Sequence, residues 1–309
     1  MLKFQVGFIY CRSFIQKQLS LPSGVRVLPL SKTGFEGEIK DIRSRLDAAR
    51  FNFTRKDLKN TLANFKNTGH CTLITFPNVV AEDFISAIES VESNAENIIG
   101  ALAVITTNPA IPLCAFAKST NNSGAKFFIP QDRIIRHGTN IPGFLDAFPA
   151  LEKKAAEDAK FSLLLRLFRS SLREREIDNQ ILFQLILLEE ASDSEKGSLA
   201  ERLRAFATKI GFIGDLALIA AECDVVLPEG RDVIDLLVKL RNVSAHNGNI
   251  SEATLLEYNG GWVLPILANK SSLHKLITES IRYMFCCLVG HDRDSMAMKV
   301  TDSIEIEFN

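Results

Sequence analysis

The chain has 309 residues, 46% of them hydrophobic and 24% charged, with a formal net charge of −1. That composition suits an ordinary soluble core in one large or two average domains, and it excludes a globally basic surface. Nucleic-acid contact would therefore need a local basic patch. Six scattered cysteines, Cys11, Cys71, Cys114, Cys223, Cys286 and Cys287, form no C-x-x-C pair and no metal-like spacing, which points to a reduced, cytoplasmic protein with buried thiols.

The first residues, MLKFQVGFIYCRS, have no charged leader and no small-residue cleavage site, so no signal peptide is expected. Lys3 to Tyr10 and Val25 to Leu30 are predicted strands with a Pro22-Ser23-Gly24 turn between them. Phe35 to Phe51 and Lys56 to Asn67 carry helical spacing, and Cys71 to Phe76 has the β-branched content of a strand. Val80 to Ile99 is a predicted helix. Ala101 to Thr106, Pro112 to Ala117 and Ala125 to Ile129 are predicted strands, the last two joined through Asn121-Asn122-Ser123-Gly124. The stretch 98–117 is the most membrane-like, but Asn108, Pro109 and Pro112 interrupt it.

The Gly138 to Gly143 loop punctuates the chain, and after about Phe148 the pattern turns helical. Leu151 to Arg175, Ile177 to Glu190, Ser198 to Ile210, Arg231 to His246 and Leu273 to Val289 are predicted helices. In the fourth of these, Val233, Leu236, Leu237, Leu240, Val243 and Ser244 make an inner stripe, and Asn247-Gly248-Asn249 is a stop. Thr254 to Leu267, centred on Asn259-Gly260-Gly261, is a predicted β-hairpin, and Lys299 to Phe308 a terminal strand. The fold class expected is α+β: a mixed α/β domain over 1–148, then a helical domain over 149–309 with a hairpin insertion.

The segment Leu240-Arg241-Asn242-Val243-Ser244-Ala245-His246 carries the candidate chemistry. Arginine supplies a permanent cation whose planar fork suits phosphate. Histidine gives or takes a proton near neutrality, and the end of a helix favours its charged form. Against that stands the bland reading of a solvated arginine and a helix-capping histidine. On a straight helix the two positions lie about 140° apart. Meeting at one phosphate requires either a helix that ends before His246 or a second copy whose two-fold interface completes the site.

Arg241-Asn242-x-x-x-His246 after Leu-Leu-Val-Lys-Leu resembles the signature of HEPN domains. Asn179 to Glu189, and Leu199 to Leu203 with Ala205-Phe206-Ala207, are similar to the preceding helices of the Apea-like branch, so the resemblance spans roughly 150–290. It implies a helical domain that homodimerises around a composite cleft and acts as a metal-independent endoribonuclease in a toxin or antiphage defence system. An antitoxin or another defence component would then be a partner. Carried over by position, His246 would handle the proton, Arg241 would bind the scissile phosphate and Asn242 would orient one of them. The implied reaction needs no cofactor and no metal, because the attacking 2′-hydroxyl belongs to the RNA. Some HEPN domains are non-catalytic, so the alternative is a module that binds RNA, a nucleotide or a protein.

Arg166, Arg169 and Arg173 share one helical stripe; they either line an RNA path or form a solvated face with Glu174 and Glu176. Glu189 and Glu190 either orient the Arg–His pair or mark an exposed helix end. Arg133, Arg136 and His137 make a small basic cluster, and Trp262 is read as a hairpin anchor. Gly-rich phosphate loops, H-E-x-x-H and G-x-S-x-G are absent from the sequence, so NTP hydrolysis, zinc proteolysis and serine esterase chemistry have no support.

Overall fold

A computed structural model describes residues 1–11, 15, 17–21, 23–31, 33–34, 36–38, 40–41, 71–108, 110–120, 123–127, 142–174, 176–193, 195–247 and 250–291. The predicted elements at Phe35 to Phe51, Lys56 to Asn67 and Lys299 to Phe308 fall wholly or largely outside these residues, as does the cluster of Arg133, Arg136 and His137. The chain forms two compact units, Met1–Gly138 and Thr139–Asn309. The boundary therefore lies earlier than the expected 148. Phe144, Ala147 and Phe148 are buried, and the Phe144 ring packs against that of Tyr283 in the second unit, centroids 5.2 Å apart and planes tilted by 60°.

Among the described residues the first unit is built on six strands: β1 (Leu2–Cys11), β2 (Leu19–Ser20), β3 (Arg26–Leu30), β4 (Cys71–Ala81), β5 (Ile111–Lys118) and β6 (Gly124–Phe127). Their order is β2-β3-β4-β1-β5-β6, every neighbouring pair antiparallel. Being central, β1 is buried from Val6 to Cys11, which explains its nearly unbroken apolar run. Gly7 lets the Phe116 ring lie across the strand; a Cβ there would come within 2.2 Å of the ring. Helix α1 (Phe84–Thr106) packs on β1, β4 and β5, and Tyr10 donates its hydroxyl to Glu96 at 3.2 Å.

Helix α1 begins where the Asp83 carboxylate accepts the Ser86 N–H, and it runs on through the predicted strand Ala101 to Thr106. All residues from Ile98 to Thr106 are buried. A helix enclosed on every side loses its polar face, so periodicity cannot tell it from a buried strand.

The second unit is helical: α2 (Pro142–Glu157), α3 (Ala159–Arg173), α4 (Ile177–Ala191), α5 (Leu199–Lys209), α6 (Asp215–Glu222), α7 (Val233–Asn247), α8 (Glu252–Glu257), a 3₁₀ turn (Gly261–Val263), α9 (Leu264–Leu267) and α10 (Lys270–Cys287). The predicted single helix from Leu151 to Arg175 is two helices. Asp158 breaks it by accepting the Phe161 N–H at 3.0 Å as the N-cap of α3. Helix α10 packs on α4, α2 and α6, with Phe285 between Phe161 and Phe168 at centroid distances of 5.5 and 5.8 Å.

The predicted hairpin at Thr254 to Leu267 is also corrected, since α8, the 3₁₀ turn and α9 occupy it. Ser251 and Thr254 form a reciprocal capping box that starts α8, and Pro265 suits the first turn of α9. The turn chemistry of Asn259-Gly260 is used all the same. Asn259 has φ 54°, and the Gly260 N–H reaches back to the Leu255 carbonyl oxygen at 2.5 Å, so the segment terminates a helix instead of joining strands.

All six cysteines are free thiols; five are buried and Cys287 is half-buried. Burial raises the Cys286 thiol to about 12, the charge of Arg282 offsetting this only in part. Among the described residues no helix is long and apolar enough to cross a membrane.

Candidate functional site

Helix α7 follows the predicted stripe closely: Val233, Leu236, Leu237, Leu240, Val243 and Ser244 are buried. It runs unbroken through the backbone of His246 to Asn247, where the Asn-Gly-Asn stop begins. The helix thus does not end before His246. Arg241 and His246 stay about 140° apart around its axis, whereas Asn242 and His246, four residues apart, share a face.

Arg241 projects toward the C-terminal end of α4. Its Nε donates to Glu189 Oε2 at 2.8 Å and its Nη2 to Oε1 at 2.9 Å, a bidentate fork. Arg202 of α5 approaches the same carboxylate, with Nη2 3.5 Å from Oε1. The three side chains are partly open, at 31% for Arg241, 28% for Glu189 and 21% for Arg202. A carboxylate at a helix C-terminus faces the partial negative charge of the last carbonyls, and two guanidiniums offset that repulsion. One negative charge against two positive ones leaves the cluster cationic. Glu189 therefore contacts Arg241 of the candidate pair and is half-buried, not an exposed helix end.

A second arginine on α5 is satisfied differently. Arg204 Nη2 donates to Asp235 at 2.6 Å and to Asp232 at 3.0 Å, two carboxylates for one guanidinium. Burial opposes the charged form of Asp235, but hydrogen bonds from Arg204 and from the Asp232 N–H outweigh it and hold the carboxyl below its usual range. This triad ties α5 to the start of α7.

The proposed RNA stripe on α3 is not a single exposed face. Arg166 is exposed and Arg173 half-buried, but Arg169 is only 3% exposed. Its place, four residues after the buried Leu165 and one after Phe168, turns it inward, so Arg169 is withdrawn as a phosphate contact. Trp262 lies in the 3₁₀ turn with the Arg231 guanidinium 5.3 Å from its ring, a cation–π pair where a hairpin anchor was expected. His274 sits in a structural chain in which Gln184 donates to Thr278 Oγ1 at 3.0 Å and Thr278 Oγ1 meets His274 Nε2 at 3.3 Å. Among the described residues no group of three or more His, Cys, Asp or Glu is placed to hold a metal ion.

Sequence reasoning singled out Arg241 but assigned Arg202 no role. Glu189 precedes Arg241 by 52 positions. Only packing of α4 and α5 against α7 brings the three together. Comparison of the chain with protein-family models, curated proteins and solved structures gives no match.

Proposed function

We propose that the helical unit is a HEPN-type, metal-independent endoribonuclease working as a homodimer in a toxin or antiphage defence system. The carrying observation is the cationic Arg241–Glu189–Arg202 cluster, assembled from α7, α4 and α5, whose Arg241 precedes His246 by just over one turn of α7. Glu189 holds the Arg241 guanidinium in one plane, so less orientational freedom is lost when it meets a phosphate. In the reaction, the RNA 2′-hydroxyl attacks the adjacent phosphorus and the bond to the 5′-oxygen breaks. The 2′-proton goes to a base and the leaving oxygen takes a proton. The products are a 2′,3′-cyclic phosphate and a free 5′-hydroxyl. His246 would serve proton transfer, Arg241 would stabilise charge on the phosphorus oxygens, and Asn242, on the face of His246, would orient the phosphate or the ring.

Because α7 is continuous through His246, the two positions face different ways and one copy does not aim both at one phosphate. The reading therefore calls for a two-fold pair of α7 helices, with Arg241 of one copy opposite His246 of the other. Its test is cleavage of total and transfer RNA in the presence of chelator. His246→Ala and Arg241→Ala should each lower the rate at least about 10²-fold while the protein still folds and dimerises. An equally active His246→Ala protein refutes it.

A second reading rests on the same fork. Arg241 spends two donors on Glu189, which suits a binding module that holds RNA, a nucleotide or a protein without chemistry. Retention of RNA without cleavage by the wild type would select it.

A further inference from the structure

We infer that Arg202 is a second backbone-binding cation of this site, holding the RNA strand beside the scissile phosphate; the inference rests on the nuclease reading above. The charge pattern around α5 carries it. Arg204, two residues on, pairs with both Asp232 and Asp235 and is a structural tie. Arg202 and Arg241 show the inverse ratio, two guanidiniums for the single carboxylate of Glu189.

The adjoining acid does not correct that imbalance. Glu201 is turned into the capping box at the start of α5, where its Oε2 accepts the Ser198 N–H at 2.7 Å and the Ser198 hydroxyl at 2.8 Å. Its carboxyl is held below the usual range by those same Ser198 groups, so it stays ionised and committed to the cap. Glu189 gives both oxygens to the Arg241 fork and leaves Arg202 the looser approach at 3.5 Å. Arg202 is 21% exposed, enough for its outer donors to meet an incoming anion, and its planar group carries five N–H donors. A phosphodiester there replaces a weak ion pair with charge-assisted hydrogen bonds and supplies the missing negative charge.

This arrangement assigns the two arginines different work. Arg241, fixed by its fork, meets the reacting phosphate. Arg202, loosely held, meets a neighbouring one that does not react. Binding through a non-reacting group lowers KM without changing kcat.

The test measures steady-state cleavage of a short single-stranded RNA by wild type, Arg202→Ala, Arg202→Lys and Arg202→Gln over a salt series, each fold-checked by circular dichroism. The expected result for Arg202→Ala and Arg202→Gln is a KM raised about 10-fold, kcat within about 2-fold, and a log–log salt slope shallower by about 0.7, one single-strand phosphate contact. Arg202→Lys should keep most of that slope because the point charge remains. Unchanged KM and salt slope in folded Arg202→Ala or Arg202→Gln, with wild type cleaving, overturns this inference and leaves the nuclease reading standing. A fall in kcat at constant KM also overturns it, since Arg202 would then act only by steadying Arg241. Wild type that neither cleaves nor retains RNA removes the nuclease reading, and Arg202 falls with it.

Discussion

Glu189→Gln separates the stabilising role of the cluster from its orienting role. The substitution keeps size and one carbonyl oxygen but removes the charge that Arg241 grips through Nε and Nη2 and that Arg202 approaches at 3.5 Å. A fully buried pair losing one partner costs about 3–5 kcal/mol, and an exposed pair less than about 1. At 28% and 31% exposure, water can take over much of the solvation of both guanidiniums, and the carboxylate's loss also relieves repulsion at the end of α4. The expected cost is therefore about 1 kcal/mol, a fall of roughly 2–4 °C in the melting temperature of a domain this size. The effect on cleavage should be far larger, because a guanidinium freed from its plane misses the phosphate geometry; kcat should fall about 10²-fold. Thermal melting by circular dichroism and steady-state cleavage of one RNA oligonucleotide read the two effects separately. A melting point lowered by more than about 10 °C, or an unchanged kcat, refutes the assignment of Glu189 as an orienting group with little structural burden.

Two further perturbations probe the framework beneath the site. Arg282 is fully buried, pairs with Glu279 at 2.8 Å through Nη1 and lies 4.1 Å from the centre of the Phe144 ring. Glu279→Gln should destabilise the helical unit by roughly 3 kcal/mol, the low end for breaking a buried pair because the amide oxygen still accepts, as read by urea unfolding; a cost below about 1 would contradict the role of this pair. Asp158→Ala should cost about 1 kcal/mol by removing the N-cap of α3, and an Ala variant as stable as wild type would show that the break between α2 and α3 has another cause. The Asp158 carboxyl is held below its usual range mainly by the Phe161 N–H. A depressed carboxylate contributes stability that is present above its unfolded value, about pH 4, and is lost as pH falls through the folded value. The difference between wild type and Asp158→Ala should therefore shrink in acid and be constant from about pH 5 upward.

Much of the framework was legible without coordinates. Short apolar runs with β-branched content, bounded by turn residues, located β1, β3, β4 and β5. Apolar spacing located α4, α5 and α7 through their buried stripes, and α10 by its apolar content, although its second half, Ser280 to Cys286, is buried all round. Reading failed where local chemistry is shared by two outcomes. The apolar run Ala101 to Thr106 fits a buried strand or a fully enclosed helix, and Asn259-Gly260 serves a hairpin or a helix end equally well. The N-cap serine Ser251 followed by Glu252 is a helix-start signal in the sequence, but its capping-box partner is Thr254 in place of the usual Glu or Gln.

The chain's own order of residues determined that Arg241, Asn242 and His246 lie on one helix, because that depends only on an apolar stripe and its stop signal. It also fixed the angular separation of Arg241 and His246, a property of helix geometry alone. Tertiary packing decided everything about their electrical surroundings. It placed Glu189 under Arg241, drew Arg202 to the same carboxylate, gave Arg204 two aspartates and turned Arg169 inward. Those partners come from different helices tens of residues apart. Charge pairing depends on distances of a few ångströms in space, and no local periodicity encodes them.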